Sequence, residues 1–181
     1  MLTDEQLIEA YSNGDTRAFE ELFERYRAKI FQFTLRMLGN RNLAEDTFQE
    51  IFLRVHSKLT RYKSEERFPA WLFTIAHRAC IDAHRKRKRE GWLLFGTKIQ
   101  EQVSGAAGDP EMDFAREQLR EKIMAKLKHL NGNQKQVFLL RIHGNLLFRE
   151  IAALLKVPLN TVLVQYHQAV LALKESLKEQ L

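Results

Sequence analysis

The sequence predicts an all-α protein: two small helical domains joined by a flexible linker, the second a helix-turn-helix domain. Three observations lead there. Apolar residues recur every three or four positions from Phe19 to Ala79 and again after Leu119. No stretch sustains the period-two alternation of a half-buried strand. Turn formers are scarce, and four of the eight glycines and one of the three prolines cluster between Gly91 and Pro110.

Taken in order, the first helical face carries Phe19, Leu22, Phe23, Tyr26, Ile30, Phe33 and Met37, and Gly39 fits its C-terminal stop. Asn42, with Glu45 three residues on, reads as the cap of the next helix, whose face is Ala44, Phe48, Ile51, Phe52, Val55 and Leu59. A polar turn, Lys63 to Arg67, precedes a third helix opening at Phe68-Pro69, where a proline loses no helical hydrogen bond. Phe68, Leu72, Ile75, Ala76 and Ala79 form its apolar stripe. Residues 92–115 read as the linker between domains at 1–91 and 116–181, with a short apolar knot at Trp92-Leu93-Leu94-Phe95 expected to pack on either one. Helical spacing resumes at Leu119, Ile123, Leu127 and Leu130. Asn133 to Ile142 and Phe148 to Leu155 then read as two helices, and the turn Lys156-Val157-Pro158-Leu159-Asn160 leads into a last helix at Thr161.

A chain that is 45% hydrophobic supplies packed cores for both domains. Its single cysteine, Cys80, excludes an internal disulfide and suits a reducing compartment. No apolar run approaches the ~20 residues that span a bilayer, and the acidic start, Met1 to Gln6, lacks a signal-peptide layout. The expectation is a soluble, cytoplasmic protein with no membrane insertion.

The net charge of +6 is unevenly placed. Residues 1–60 hold eight Lys/Arg against ten Asp/Glu, residues 61–90 nine against four, and residues 91–181 twelve against nine. A positive excess focused in about thirty residues points to a polyanionic partner more strongly than the total does. That segment ends in five consecutive cations, Arg85 to Arg89, and also carries Arg78, Trp71 and Phe73. Cations that neutralise phosphates beside rings on which unpaired bases stack describe a single-stranded nucleic-acid surface. The bland alternative makes Trp71 a core residue and the basic run a solvated tail.

The run Leu43 to Arg54 (LAEDTFQEIFLR) resembles the second conserved helix of sigma factors of the extracytoplasmic-function class, within the sigma-70 family. Phe68 to Ala76 (FPAWLFTIA), followed by Asp82, Arg85 and Arg89, is similar to the helix that follows it in that family. The resemblance implies that Asp46, Gln49, Glu50 and Leu53 dock on the coiled coil of the largest subunit of core RNA polymerase. It implies that Lys63, Ser64, Arg67, Phe68, Trp71, Arg78, Arg85 and Arg89 bind the −10 promoter element and capture a base flipped from the opened strand. At His77-Arg78 the family more often has Arg-Asn, which leaves the captured base open.

The C-terminal helices resemble the −35-binding domain of the same family through Phe148-Arg149-Glu150-Ile151-Ala152, Thr161-Val162, His167 and Ala169. The implied contact set there is Arg149, Thr161, Leu163, Val164, Gln165, His167 and Gln168. Family members usually display several Lys/Arg on this last helix. Here Leu163, Val164, Gln165, Gln168 and Val170 stand at those positions, and no charged residue occurs from Val157 to Leu173. The apolar side chains cannot contact phosphates but can meet thymine methyl groups, and the glutamines can read adenine edges. Val162, Tyr166, Ala169 and Leu173 share one face and are expected in the core. Three readings stand: unusual −35 recognition, a protein partner covering the helix, or packing that buries it.

His77, Cys80 and His84 share a helix at i, i+3 and i+7, but no fourth ligand or second cluster supports a metal site. No phosphate-cradling glycine loop, nucleophile elbow or catalytic triad is legible, so neither a cofactor nor an enzymatic activity is expected. The expected partners are core RNA polymerase, promoter DNA and, by resemblance alone, an anti-sigma protein. Two other classes remain in view: a sigma-like regulator that binds polymerase or another protein without selecting promoters, and a helix-rich nucleic-acid-binding protein with no polymerase contact.

Overall fold

In the computed structural model, residues 2–63, 67–93 and 130–178 are described, and they form helices without a strand. The helices are α1 (Asp4–Ser12), α2 (Thr16–Leu38), α3 (Arg41–Leu59), α4 (Phe68–Leu93), α5 (Gly132–Gly144), α6 (Phe148–Leu155) and α7 (Leu159–Lys178). The chain divides into two compact units, one built on α1 to α4 and the other on α5 to α7. Residues 94–115 of the expected linker, among them Leu94 and Phe95 of its apolar knot, and the apolar positions Leu119, Ile123 and Leu127 lie outside the described residues. α4 runs to Leu93, two residues into that expected linker.

In the first unit α2 is the central element, touching α1, α3 and α4. Its stripe faces inward: Leu22, Tyr26, Ile30 and Phe33 are buried, and Phe33 meets Phe73 of α4 edge to face at 5.2 Å between centroids. Phe19, Phe23 and Met37, on the same stripe, are half-buried at its margin. Gly39 ends α2 in the left-handed conformation (φ 68°), and its N–H donates to the Leu35 carbonyl at 2.8 Å. The cap of α3 is Asn40, not Asn42: Asn40 is extended at φ −133° and its Oδ1 accepts from Leu43 N at 2.9 Å. Asn42 stands one residue inside the helix and is exposed, so its side chain has no free turn to close.

The stripe expected on α4 is buried throughout, at Phe68, Leu72, Ile75, Ala76 and Ala79, and Phe73 joins it. Phe73 is therefore core and is not one of the rings offered to a nucleic acid. Cys80 packs there too, against Thr34 of α2, and burial pushes its thiol up to about 12. A buried thiol beside a hydroxyl fills space where α4 packs on α2.

The second unit buries Leu130, Val137, Leu139, Leu140, Leu146, Ile151, Val162 and Ala169. Tyr166 of α7 stacks on Phe138 of α5 (6.2 Å) and meets Phe148 of α6 edge to face (5.1 Å), and Arg141 lies over the Phe148 ring at 5.0 Å. α6 begins with Glu150 accepting from Leu147 N at 2.7 Å and ends with Lys156 in the left-handed conformation. α7 starts at Leu159, two residues before the expected Thr161, because Pro158 needs no hydrogen bond ahead of it and the turn closes in Lys156 to Pro158. Helix, tight turn and helix give the expected helix-turn-helix.

Candidate nucleic-acid and polymerase interface

On α3, Asp46, Gln49, Glu50 and Leu53 follow i, i+3, i+4 and i+7 spacing and all are exposed. Leu53, at 72%, is the most exposed of the large hydrophobic residues described. Glu50 holds Arg54 at 2.5 Å, and Arg54 reaches on to Asp82 of α4 at 3.6 Å. These pairs fix the flank of the strip, leaving a solvated leucine between polar neighbours. Phe23, Ala28, Phe31 and Phe48, together with Gln49 of the strip, line a groove of about 440 Å³ between α2 and α3.

On α4, Trp71, Arg78, Asp82, Arg85 and Arg89 are spaced by 7, 4, 3 and 4 residues, which aligns them on one helical face. Trp71 is half-buried and the other four are exposed. From Trp71 to Arg89 the strip runs about 27 Å at the ~1.5 Å rise of an α-helix. Arg85, Lys88, Arg89 and Asp82 line an open groove at its far end. At the near end Trp71 meets the half-buried Tyr62 at 5.2 Å and Phe68 at 5.7 Å. One end of the strip is ringed and the other is cationic.

Phe68 itself is only 1% exposed, so it cannot stack on a base, contrary to the expectation that it contacts DNA. It begins α4 on the inward stripe and serves as the floor beneath Trp71 and Tyr62. Lys63 and Arg67 are exposed on either side of residues 64–66. Ser64, named with the −10 set, lies outside the described residues.

On α7, Thr161, Leu163, Val164, His167 and Gln168 are exposed, as is Arg149 on α6. Leu163, Val164 and Leu171 expose 41%, 53% and 44% of their surface, so α7 is not buried by its own unit. Gln165 departs from the expected outward set. It is half-buried, and its Oε1 is shut from solvent without a hydrogen-bond partner among the described residues. It sits three residues past Val162 and four before Ala169, both fully buried, and so leans toward the core. Gln168 accepts from Gln134 Nε2 at 3.1 Å, and Tyr166 and Leu173 are half-buried rather than fully enclosed.

One element escaped the sequence reading. α1 is capped reciprocally by Thr3 and Gln6, and its Asp4 takes Arg25 Nη1 at 2.5 Å and the Tyr26 hydroxyl. The Thr3-x-x-Gln6 spacing was the available signal.

Comparison with known proteins gives a consistent answer. Sigma-70 region 2 matches residues 22–90, and Sigma-70, region 4 matches residues 120–173. The ECF RNA polymerase sigma factor SigW of Bacillus subtilis (strain 168) is 31% identical over 178 residues, 95% of each chain. The RNA polymerase sigma factor CarQ of Myxococcus xanthus is 30% identical over 172 residues, 95% of this chain and 96% of its own. Among solved structures, the sigma factor RpoE of Bartonella quintana, in complex with the anti-sigma factor NepR, aligns with a TM-score of 0.74 at 21% identity over 90% of this chain and 98% of its own. CnrH, in complex with the cytosolic domain of CnrY, aligns at 0.69 and 21% over 97% of both. Two regions in the family's order and a relative matched over 95% of each chain at this identity leave one conclusion: the chain belongs to the ECF RNA polymerase sigma factors of the sigma-70 family.

Proposed function

We propose that the chain binds core RNA polymerase and directs it to promoters, with its first unit opening the −10 region and its second occupying the −35 region. The observation that carries this reading is the ring-to-cation strip of α4, from Trp71 to Arg89. Trp71 stacks on a base, with Tyr62 and Phe68 holding its ring from behind, while Arg78, Arg85 and Arg89 follow the backbone. Lys63, Ser64 and Arg67 approach the same strand from the preceding turn. Asp46, Gln49, Glu50 and Leu53 dock on the polymerase, which supplies the chemistry of RNA synthesis. The chain acts in the cytoplasm, beside the polymerase. No described helix is long and apolar enough to cross a membrane. An anti-sigma protein is its third partner, a reading supported by the complex of the structurally similar RpoE with NepR.

The regulator without promoter selection is not favoured, since both sigma-70 regions match and both near-full-length relatives are named sigma factors. Run-off transcription with purified chain, core polymerase and a promoter library tests the choice. A discrete promoter class transcribed only when the chain is added is expected. Tight core binding without any promoter-specific transcript would reject promoter selection.

The uncharged α7 makes a separate prediction. Val164 and Leu163 are exposed and carry no charge, so replacing both with Lys adds two cations without burying either. If α7 faces the duplex, the slope of log affinity against log salt steepens by about 1.8, at ~0.9 per phosphate neutralised. An unchanged slope in holoenzyme titrations would place α7 away from DNA. Gln165 is unsuited to this test, because a cation there would enter a half-buried site.

A further inference from the structure

An unbroken chain of contacts joins α1 to the ringed end of the α4 strip. Asp4 Oδ1 holds Arg25 Nη1 at 2.5 Å, while Arg25 Nη2 donates to the Leu2 carbonyl and to Glu21, both at 2.9 Å. The other oxygen of Asp4 accepts from the Tyr26 hydroxyl. Tyr26 is 6% exposed, and its ring meets Phe68 at 5.4 Å, nearly perpendicular. Phe68 in turn touches Trp71 at 5.7 Å and Tyr62 at 5.8 Å, and those two rings touch each other at 5.2 Å. Lys29 stands over the Tyr26 ring at 5.3 Å.

Each link constrains the next. Aromatic rings at these separations prefer particular tilts, so a shift of one is felt by its neighbour. Phe68 has no exposed edge and so cannot yield to solvent. Tyr26 is anchored at its far end by a hydrogen bond to a carboxylate that is itself fixed by a guanidinium, an arrangement stronger than a neutral pair. Burial and that bond also hold the phenol protonated well above its usual range. Tyr26 therefore joins a charge-bound hydroxyl at one end to a ring contact with Phe68, the floor beneath Trp71, at the other.

We propose that Asp4, acting through Tyr26 and Phe68, is a positioning residue that sets the pose in which Trp71 receives a base of the opened promoter strand. The inference rests on the reading of Trp71 given above. It assigns to α1, which bears none of the proposed polymerase or DNA contacts, a part in promoter opening. Arg25 shares the role by fixing the Asp4 carboxylate.

The test uses the full chain carrying Trp92→Phe, which leaves Trp71 as its one tryptophan. Tyr26→Phe keeps the ring and removes the hydrogen bond; Asp4→Ala removes the acceptor; Asp4→Asn keeps an acceptor for the hydroxyl. Tyr26→Phe and Asp4→Ala are expected to raise acrylamide quenching of Trp71. Both should lower holoenzyme binding to a single-stranded −10 oligonucleotide by about tenfold, the lower end of the factor for one lost hydrogen bond to a charged group. Core-polymerase affinity, carried by α3, should stay unchanged, and Asp4→Asn should recover most of the loss. In a Trp71→Ala background, Asp4→Ala should add no further loss, since coupled residues are non-additive.

Unchanged quenching and oligonucleotide binding in Tyr26→Phe, where Trp71→Ala does weaken binding, would overturn the relay and leave the Trp71 reading intact. If Trp71→Ala leaves binding unchanged, the reading of Trp71 falls and takes the relay with it. Should Asp4→Ala fail to fold, as circular dichroism would show, Tyr26→Phe and Asp4→Asn still decide the matter.

Discussion

Leu53→Asp is expected to weaken binding to core RNA polymerase by about thirtyfold or more, the effect of losing one interface hot spot of ~2 kcal/mol. Leu53 leaves 72% of its surface in water, so the fold gains little from it. Substitution there should change stability by no more than about 0.5 kcal/mol, as at ordinary surface sites. A large apolar side chain held out on a rigid helix, at the end of the strip Asp46, Gln49 and Glu50, is the arrangement of an anchor awaiting a partner. Asp46→Arg on the same exposed strip should act in the same direction if the strip is the docking surface proposed above, because it reverses a charge there. Anisotropy titration of labelled chain against core enzyme, alongside a thermal melt by circular dichroism, separates the two effects. An unchanged affinity with an unchanged melt would remove α3 from the polymerase interface.

Replacing Arg85, Lys88 and Arg89 with Gln is expected to cut the affinity of the holoenzyme for single-stranded −10 DNA by about a hundredfold at 0.1 M salt. The three line one open groove at the end of the α4 strip. Each phosphate neutralised on a single strand contributes ~0.7 to the salt slope, so three lost contacts flatten it by about 2 and remove about two decades of affinity at that salt. Glutamine keeps the helix propensity of the segment, so α4 should persist. Titrations at several salt concentrations measure both quantities. A slope that stays put while the charges go would mean that the strand does not pass over this end of α4.

Much of this surface was legible in the sequence because a helix commits each residue to a face. The α4 stripe from Phe68 to Ala79 is buried as its spacing required, and the α3 strip is exposed for the same reason. Phe68 shows where motif and period compete. It lies inside the run that resembles the family and beside the cations, which suggested contact with DNA, yet its place on the inward stripe decides its burial. The cap of α3 was misplaced by two residues because either asparagine is competent. The choice depends on which one takes the extended backbone, and that is set by where Gly39 ends α2. The polarity of Gln165 suggests solvent, while its spacing from Val162 and Ala169 draws it inward.

The network around Asp4 was not readable from periodicity. α1 is nine residues long and buries only Leu7 and Ile8, too few positions to establish a helical face. Its contacts with Arg25 and Tyr26 span more than twenty residues of sequence. Such pairings follow from the crossing of α1 on α2, which composition and spacing do not specify.

The central claim is that one surface of the first unit holds an unpaired promoter strand while the chain rides on the polymerase. Permanganate oxidation of unpaired thymines, on a promoter recovered from the run-off library, measures this most directly. Thymines of the −10 region should become reactive only when chain and core enzyme are both present, and Trp71→Ala should return most of them to protection. Thymines that stay protected although both proteins occupy the promoter, or that open equally well with Trp71→Ala, would contradict the account.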